Sequence, residues 1–282
     1  MSPEISDGTI FRYNGKNCLI SLILFCILIG FFTSVTAQEC VDVPNQIENW
    51  WTGDGDTYDR IGDQYASMIN GVAFDSGKVG QAFRFQEIRG CIDCGDLNTT
   101  EQSNGTYEMW FMTDIANSDR DPLNSFQVLL SKMYQGSLRA RELVLENDQT
   151  IKFEIYDQSY PSSFVRIYTK PTEFRPDEWH HVAASWGDSG MKIYLDGVVN
   201  DSSNYTEFGY PSDSSFLIGN LKENFNAGRE YGFYGELDEV SVYSRALTAK
   251  EIKAIYDSGR AGKCKLELHN PIKSPRINIL ED

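Results

Sequence analysis

Residues 235–264 read GELDEVSVYSRALTAKEIKAIYDSGRAGKC, and the prediction of the fold starts from them. Residues 236–243 alternate with a period of two, and this pattern predicts a β-strand. We expect Asp238 to share the core-facing side of that strand with Val240, while Glu239 points to the opposite face. A core strand that begins with acidic side chains needs a partner for each buried carboxylate.

A short helix is predicted directly after this strand. Thr248 lies three residues before Glu251, and this spacing is that of a capping box, in which each residue satisfies the other's backbone amide. Gly259 is placed to end the helix in a left-handed conformation. The helix is expected to bury Ile252, Ile255 and Tyr256. Cys264 follows within a few residues, so a disulfide is expected to close the domain.

The rest of the chain predicts strands throughout. Short apolar runs recur with turn signals about every 8–12 residues, which is the pattern of an all-β sandwich or jelly roll. The 282 residues are 41% hydrophobic and 13% aromatic, which is enough for one large core. We therefore predict an all-β jelly-roll β-sandwich over residues 38–264 with one short C-terminal helix.

The charge of the chain limits its partners. There are 41 acidic and 25 basic residues, for a net charge of −16, and no run of five lysines or arginines. This balance argues against binding nucleic acid or an anionic membrane surface.

The N-terminus has the pattern of a targeting segment. Lys16 precedes an apolar run over residues 19–32, and small residues lead to Ala37. We therefore predict a signal peptide over residues 1–37 and a secreted protein. An uncleaved membrane anchor is the alternative, and it is disfavoured because the run is shorter than the ~20 residues that span a bilayer. The tail, residues 265–282, is expected to be extended or disordered.

Four cysteines remain after that segment, and in an exported chain they predict disulfides. Three pairings are possible, and we favour Cys40 with Cys264 and Cys91 with Cys94. The first pair would join the two ends of the domain. A redox pair or a zinc half-site at residues 91–94 is less favoured, because the thioredoxin-like context and the further metal ligands are missing.

Six motifs occur in an order that resembles a known family. Together they are similar to the LamG-like, concanavalin A-like jelly-roll domains of secreted and cell-surface proteins, over about residues 40–264. The resemblance implies a carbohydrate- or protein-binding module that often carries calcium. The motifs are WWTGDG (50–55), GKVGQAFRF (77–85), EWHHVA (178–183), YLDG (194–197), GELDEV (235–240) and RALT (245–248).

The resemblance also implies a calcium site, with calcium as a structural cofactor. Its matching ligands are Asp54 with Asp56 or Asp59 from the first loop, and Glu236 or Asp238 from the last strand. Glycines among these acids let carboxylate and carbonyl oxygens converge, as a hard cation requires. The alternative is that Asp238 only accepts backbone hydrogen bonds from a neighbouring loop.

The same fold hosts glycoside hydrolases with a Glu-x-Asp-x-x-Glu strand, and Glu236 and Asp238 begin that motif. The second carboxylate of a retaining mechanism is missing, since Val240 and Ser241 stand where it should be. We therefore expect no enzyme but a binding module, most favourably for glycans. A structural or adhesive module that binds an extracellular protein is the alternative. Loop tyrosines are the candidates to stack on sugars: Tyr134, Tyr160, Tyr205 and Tyr210.

Overall fold

The computed structural model describes residues 38–97, 103–114, 126–133, 140–157, 163–206, 215–221 and 231–265. The chain divides by its contacts into Met1–Ala37 and Gln38–Asp282. The predicted signal segment and the tail after Lys265 lie outside the described residues. No helix in the described ranges is both long and apolar enough to cross a membrane.

Fifteen strands form two antiparallel sheets in the described residues. The larger sheet has the order β13-β12-β11-β6-β15-β4-β3, with β1 also paired to β15, and the smaller sheet has the order β10-β9-β8-β7-β14-β5-β2. The strands are β1 (Ile47–Trp51), β2 (Ser67–Ile69), β3 (Val72–Ser76), β4 (Gln81–Phe85), β5 (Cys91–Asp93), β6 (Gly105–Thr113), β7 (Phe126–Met133), β8 (Ala140–Glu146), β9 (Ile151–Asp157), β10 (Ser163–Tyr168), β11 (His180–Gly187), β12 (Gly190–Leu195), β13 (Val198–Ser203), β14 (Phe216–Ile218) and β15 (Gly235–Tyr243).

The core lies between the two sheets. Every second residue of the central strands points into it, as Tyr107, Met109 and Phe111 of β6 do, and all three are fully buried. Their alternates face outward, so each sheet also has an outer face. The predicted all-β sandwich is confirmed.

The predicted helix is also confirmed, as α1 (Ala249–Ser258). The Thr248 side chain accepts from the Glu251 backbone amide while the Glu251 carboxylate accepts from the Thr248 amide, so the capping box is complete. Gly259 ends the helix with a φ of +50°. Ile252 and Ile255 pack on the outer face of the larger sheet and cover its centre.

The prediction for the two faces of β15 is wrong, because the strand carries a β-bulge. Its pairing with β6 shifts register between Asp238 and Ser241, and Glu239 has a φ of +55°. One extra residue reverses the alternation. Leu237 and Val240 therefore both point into the core. Asp238 and Glu239 are nearest neighbours whose charges interact outside that core.

The structure confirms one disulfide and contradicts the other. Cys40 and Cys264 are bonded across a sequence separation of 224 residues. Cys91 and Cys94 are buried thiols. They lie on an extended segment, since β5 continues into a backbone hydrogen bond from Cys94 to Phe216. Residues i and i+3 of an extended chain point to opposite faces and lie about 10 Å apart, too far for a disulfide.

Candidate functional site

The outer face of the smaller sheet presents exposed aromatic side chains beside charged ones. Phe164, Arg166 and Tyr168 alternate outward along the edge strand β10, and both aromatic rings are 39% exposed. Alternate residues of a strand repeat every ~6.7 Å, so the two rings lie about 13 Å apart along the strand. We name these three residues, with Lys152 and Glu154 of β9, the aromatic face.

A ladder of ion pairs holds the charged side chains of this face. Lys152 Nζ lies 2.8 Å from Glu146 and 3.6 Å from Glu154, and Glu154 also pairs with Arg166. The Arg166 guanidinium sits 4.5 Å from the centre of the Phe164 ring. Burial alone would lower the pKa of Lys152, but the carboxylates of Glu146 and Glu154 outweigh it and raise that pKa. These ion pairs join Lys152, Glu154 and Arg166 in one row across β9 and β10.

The other half of the same outer face is closed by apolar packing. Val128, Val144 and Leu221 form a buried cluster. Phe126 and Tyr231 stack beside it with ring centres 4.2 Å apart and planes within 4°. Within the described residues of the half at β9 and β10, Phe164 and Tyr168 of β10 stay exposed, whereas Lys152 and Glu154 of β9 are buried.

Of the four tyrosines predicted to contact a ligand, only Tyr205 lies in the described residues. It is half-buried and packs against the core. Tyr134, Tyr160 and Tyr210 lie outside them. The aromatic face was not selected from the sequence, although the alternation of Phe164, Arg166 and Tyr168 is visible there.

Two of the five predicted metal ligands, Asp54 and Asp238, contact the turn that connects β3 and β4. Asp238 Oδ2 accepts from the backbone amide of Val79, and Asp54 Oδ1 accepts from that of Gln81, each at 2.9 Å. Asp238 is fully buried, and its Oδ1 has no hydrogen-bond partner. Burial and then the neighbouring Glu239 raise the pKa of Asp238 well above its usual range.

The other three predicted ligands have partners elsewhere. Asp59 is buried and accepts from the amides of Trp50 and Ile61 and from the Asn49 side chain. Asp56 pairs with Arg60 at 2.9 Å. Glu236 pairs with Arg84, which also binds Asp114. Three or more acidic, histidine or cysteine side chains do not come together as a metal group in the part of the chain described.

Calcium therefore has only a partial fit. The unpaired Oδ1 of Asp238 and the carboxylate of Asp54 are the oxygen donors that a hard cation takes. The Asp54 carboxylate also pairs with the exposed Lys265 at 3.1 Å. The β3–β4 turn also offers backbone carbonyls. Asp56, Asp59 and Glu236 do not join them.

A buried charge cluster, which was not predicted from the sequence, lies under α1 on the outer face of the larger sheet. Lys263 Nζ contacts Glu108 at 2.8 Å and Glu239 at 3.3 Å, and its side chain is 1% exposed. His181 Nε2 lies 3.0 Å from the other oxygen of Glu108. Burial alone would raise the pKa of Glu108, but Lys263 and His181 outweigh it and lower it to about 2.

The positions of Asp238 and Glu239 concern the hydrolase motif that was considered from the sequence. The bulge makes Glu239 a neighbour of Asp238, so the expectation that they point to opposite faces fails. Both carboxylates are nevertheless buried, with exposures of 0% for Asp238 and 2% for Glu239. The β3–β4 turn contacts Asp238 through the Val79 amide, and Trp50 and Lys263 contact the carboxylate of Glu239.

The sequence matches the model of a known protein family. Residues 90–253, more than half of the chain, match the family model described as the concanavalin A-like lectin/glucanases superfamily. The chain belongs to this superfamily. The family resemblance inferred from the motifs is therefore confirmed. A search of curated protein sequences finds no significant match.

Solved structures with a similar fold include binding domains. Domain 4 of AbnA, a GH43 extracellular arabinanase from Geobacillus stearothermophilus, in complex with arabinotriose, has a TM-score of 0.58 at 16% identity, over 74% of this chain and 97% of that one. The binding domain of Paraclostridial Mosquitocidal Protein 1 has a TM-score of 0.61 at 14% identity, over 75% of this chain and 52% of that one. The botulinum neurotoxin serotype D binding domain has a TM-score of 0.57 at 12% identity, over 75% and 51%. At these identities the likeness concerns the fold alone.

Proposed function

We propose that this protein is a secreted, non-catalytic carbohydrate-binding module that binds its glycan on the aromatic face. The observation that carries the proposal is the pair of exposed rings, Phe164 and Tyr168, on either side of Arg166. Sugar rings have an apolar face that stacks on aromatic side chains and hydroxyl groups that bind charged ones. The arabinotriose complex of the similar AbnA domain supports this ligand class.

Binding to a glycan array, followed by titration of the best ligand, tests the proposal. Tyr168→Ala is expected to weaken binding about three- to tenfold, because a stacked aromatic ring contributes ~0.5–1.5 kcal/mol. Tyr65→Ala is the matched control, since Tyr65 is a 71% exposed tyrosine away from this face. Equal loss in both variants, or no glycan signal at all, would reject the proposal.

Calcium is proposed as a structural ion held by Asp54 and Asp238 at the β3–β4 turn. Bound calcium would give the buried Asp238 carboxylate the partner that its Oδ1 lacks. Calcium at a hundredfold excess over its dissociation constant is expected to stabilise the protein by ~2.7 kcal/mol. Asp238→Asn should abolish the rise in melting temperature that calcium causes. Asp56→Asn, in the same loop but paired with Arg60, should keep it.

The non-catalytic part of the proposal is supported by the burial of Asp238 and Glu239. No hydrolysis of β-glucans or arabinans is expected at any pH. Hydrolysis that Glu236→Gln abolishes would overturn this part and leave glycan binding intact. Secretion is supported by the Cys40–Cys264 disulfide, a bond that persists in oxidising compartments.

Adhesion to an extracellular protein is the second candidate function. Val198 and Val199, on the edge strand β13, are 59% and 44% exposed. Exposed apolar residues on an edge strand favour pairing with another chain. Stable oligomers or a pulled-down extracellular partner, lost in Val198→Lys, together with a blank glycan array, would favour this function over the first.

A further inference from the structure

A second cleft opens at one end of the larger sheet, away from the aromatic face. It lies where β3 begins and β4 ends, beside the residue that precedes β15. It is a shallow cleft, open to solvent, with a volume of about 380 Å³, near the lower end of the range of small-ligand pockets. The residues that line it are Asn70, Gln86, Glu87, Ile88, Arg89 and Tyr234.

Hydrogen bonds fix the backbone on both sides of the cleft. On one side, Gln86 N donates to Gly71 O at 3.3 Å, and the Asn70 side chain donates to Arg89 O at 3.3 Å. On the other side, Tyr234 N donates to the Gln127 side chain at 3.0 Å, and Tyr234 O accepts from Asp114 N at 3.2 Å. The walls are therefore preorganised, which lowers the entropy that a ligand must overcome.

Two glycines allow the walls to approach each other. A Cβ on Gly71, whose φ is +60°, would lie 2.5 Å from the Glu87 side chain. A Cβ on Gly232 would lie 2.0 Å from the carbonyl oxygen of Ile88. Glycine is the residue that permits such close backbone contact. The shape of the cleft thus depends on two glycines that are not among the residues that line it.

The lining has the chemistry of a sugar site. Two carboxamides, a carboxylate and a guanidinium supply both donors and acceptors for hydroxyl groups, and the Tyr234 ring supplies an apolar surface. The lining carries one acid and one base, Glu87 and Arg89, so it does not select an anion. The net charge of −16 disfavours anionic glycans further.

We propose that this cleft binds the end of a neutral oligosaccharide, as a second site separate from the aromatic face. The inference rests on the proposed carbohydrate-binding function and adds a site and a ligand charge to it. Two separate sites on one module would let it hold two chains of a polysaccharide, or two points of one chain, with increased avidity.

Amide chemical shifts measured by NMR test the site residue by residue. Arabinotriose, xylotriose and cellotriose are the neutral probes, and sialyllactose is the anionic one. At least one neutral probe is expected to shift the Asn70 side-chain amide and the backbone amides of Gly71 and Gly90 in a saturable way. Sialyllactose is expected to leave them unmoved.

Two conservative variants then test the contacts. Asn70→Gly keeps the positive φ of +45° at this position, and Glu87→Gln keeps the shape of the side chain. Each is expected to weaken the binding of the probe at the cleft about tenfold. That is the effect of losing one hydrogen bond between a sugar hydroxyl and the substituted side chain. Glu173→Gln is the control, because Glu173 is an exposed acid paired with Arg175 elsewhere.

The outcomes separate this inference from the proposed function. Shifts at Phe164 and Tyr168 without shifts at Asn70 and Gly71 would overturn the second site and leave glycan binding standing. Equal affinities in Glu87→Gln and Glu173→Gln would also overturn it. The absence of any saturable shift with all four sugars would overturn both.

Discussion

Replacing Lys263 with methionine tests the role of the buried charge cluster. The Lys263 ammonium lies 2.8 Å from Glu108 and 3.3 Å from Glu239. With an effective dielectric constant of about 20, these distances correspond to attractions of about 6 and 5 kcal/mol. The several kcal/mol needed to bury an ammonium offset much of this gain. Lys263→Met leaves two buried carboxylates without their cation, so we expect it to cost about 3–5 kcal/mol.

Guanidinium-induced unfolding with the disulfide intact measures this loss. For a domain of this size the melting temperature should also fall, by roughly 6–20 °C. Lys265→Met is the matched control, because Lys265 pairs with Asp54 at 3.1 Å but is 74% exposed. Its loss should cost under about 1 kcal/mol. The double variant Lys263→Met with Glu108→Gln should be less destabilised than the sum of the single variants. Equal stability of the two lysine variants would refute the reasoning.

Three further predictions follow from the same contacts. In a chain that lacks residues 1–37, and with them Cys18 and Cys26, Cys91 and Cys94 should resist a thiol reagent while the protein is native, because burial raises the pKa of Cys91 to about 12 and that of Cys94 well above its usual range. After unfolding, two thiols per chain should react, and none would mean a disulfide between them. Removing the Cys40–Cys264 bond with serines should lower the free energy of unfolding by about 2–5 kcal/mol, the upper value being the loop-entropy limit for a separation of 224 residues. In the folded protein the pKa of Glu108 is lowered to about 2. Its ionised carboxylate therefore stabilises the fold fully above the pKa that it has in the unfolded chain, and this stability is lost as the pH falls toward 2. The unfolding free energy of Glu108→Gln should fall less steeply between pH 4.5 and pH 2 than that of the wild type.

Much of the fold could be predicted from the sequence, because the signals for it are local. The alternation of β6 and the Thr248–Glu251 spacing of α1 depend on residues within a few positions of each other. The pairing of Cys40 with Cys264 was also predictable, since the two cysteines bracket the domain.

The predictions that failed depended on backbone geometry that residue types do not reveal. The bulge at Glu239 requires a positive φ at a residue that rarely adopts it, and one such residue reverses the faces of β15. The proposed bond between Cys91 and Cys94 assumed a turn, whereas the segment pairs with β14 as an extended strand.

Strand periodicity, one capped helix and six ordered motifs were enough to predict the fold class from the sequence. Which charged and aromatic side chains are buried, and which are exposed, became clear from the three-dimensional structure. It buried Asp238 and Glu239, satisfied Asp59 with backbone amides, and brought Lys263 onto Glu108 from 155 residues away. It also left Phe164 and Tyr168 exposed on one face. The physical reason is that periodicity is set between neighbours along the chain, whereas burial and charge pairing are set between residues that only folding brings together.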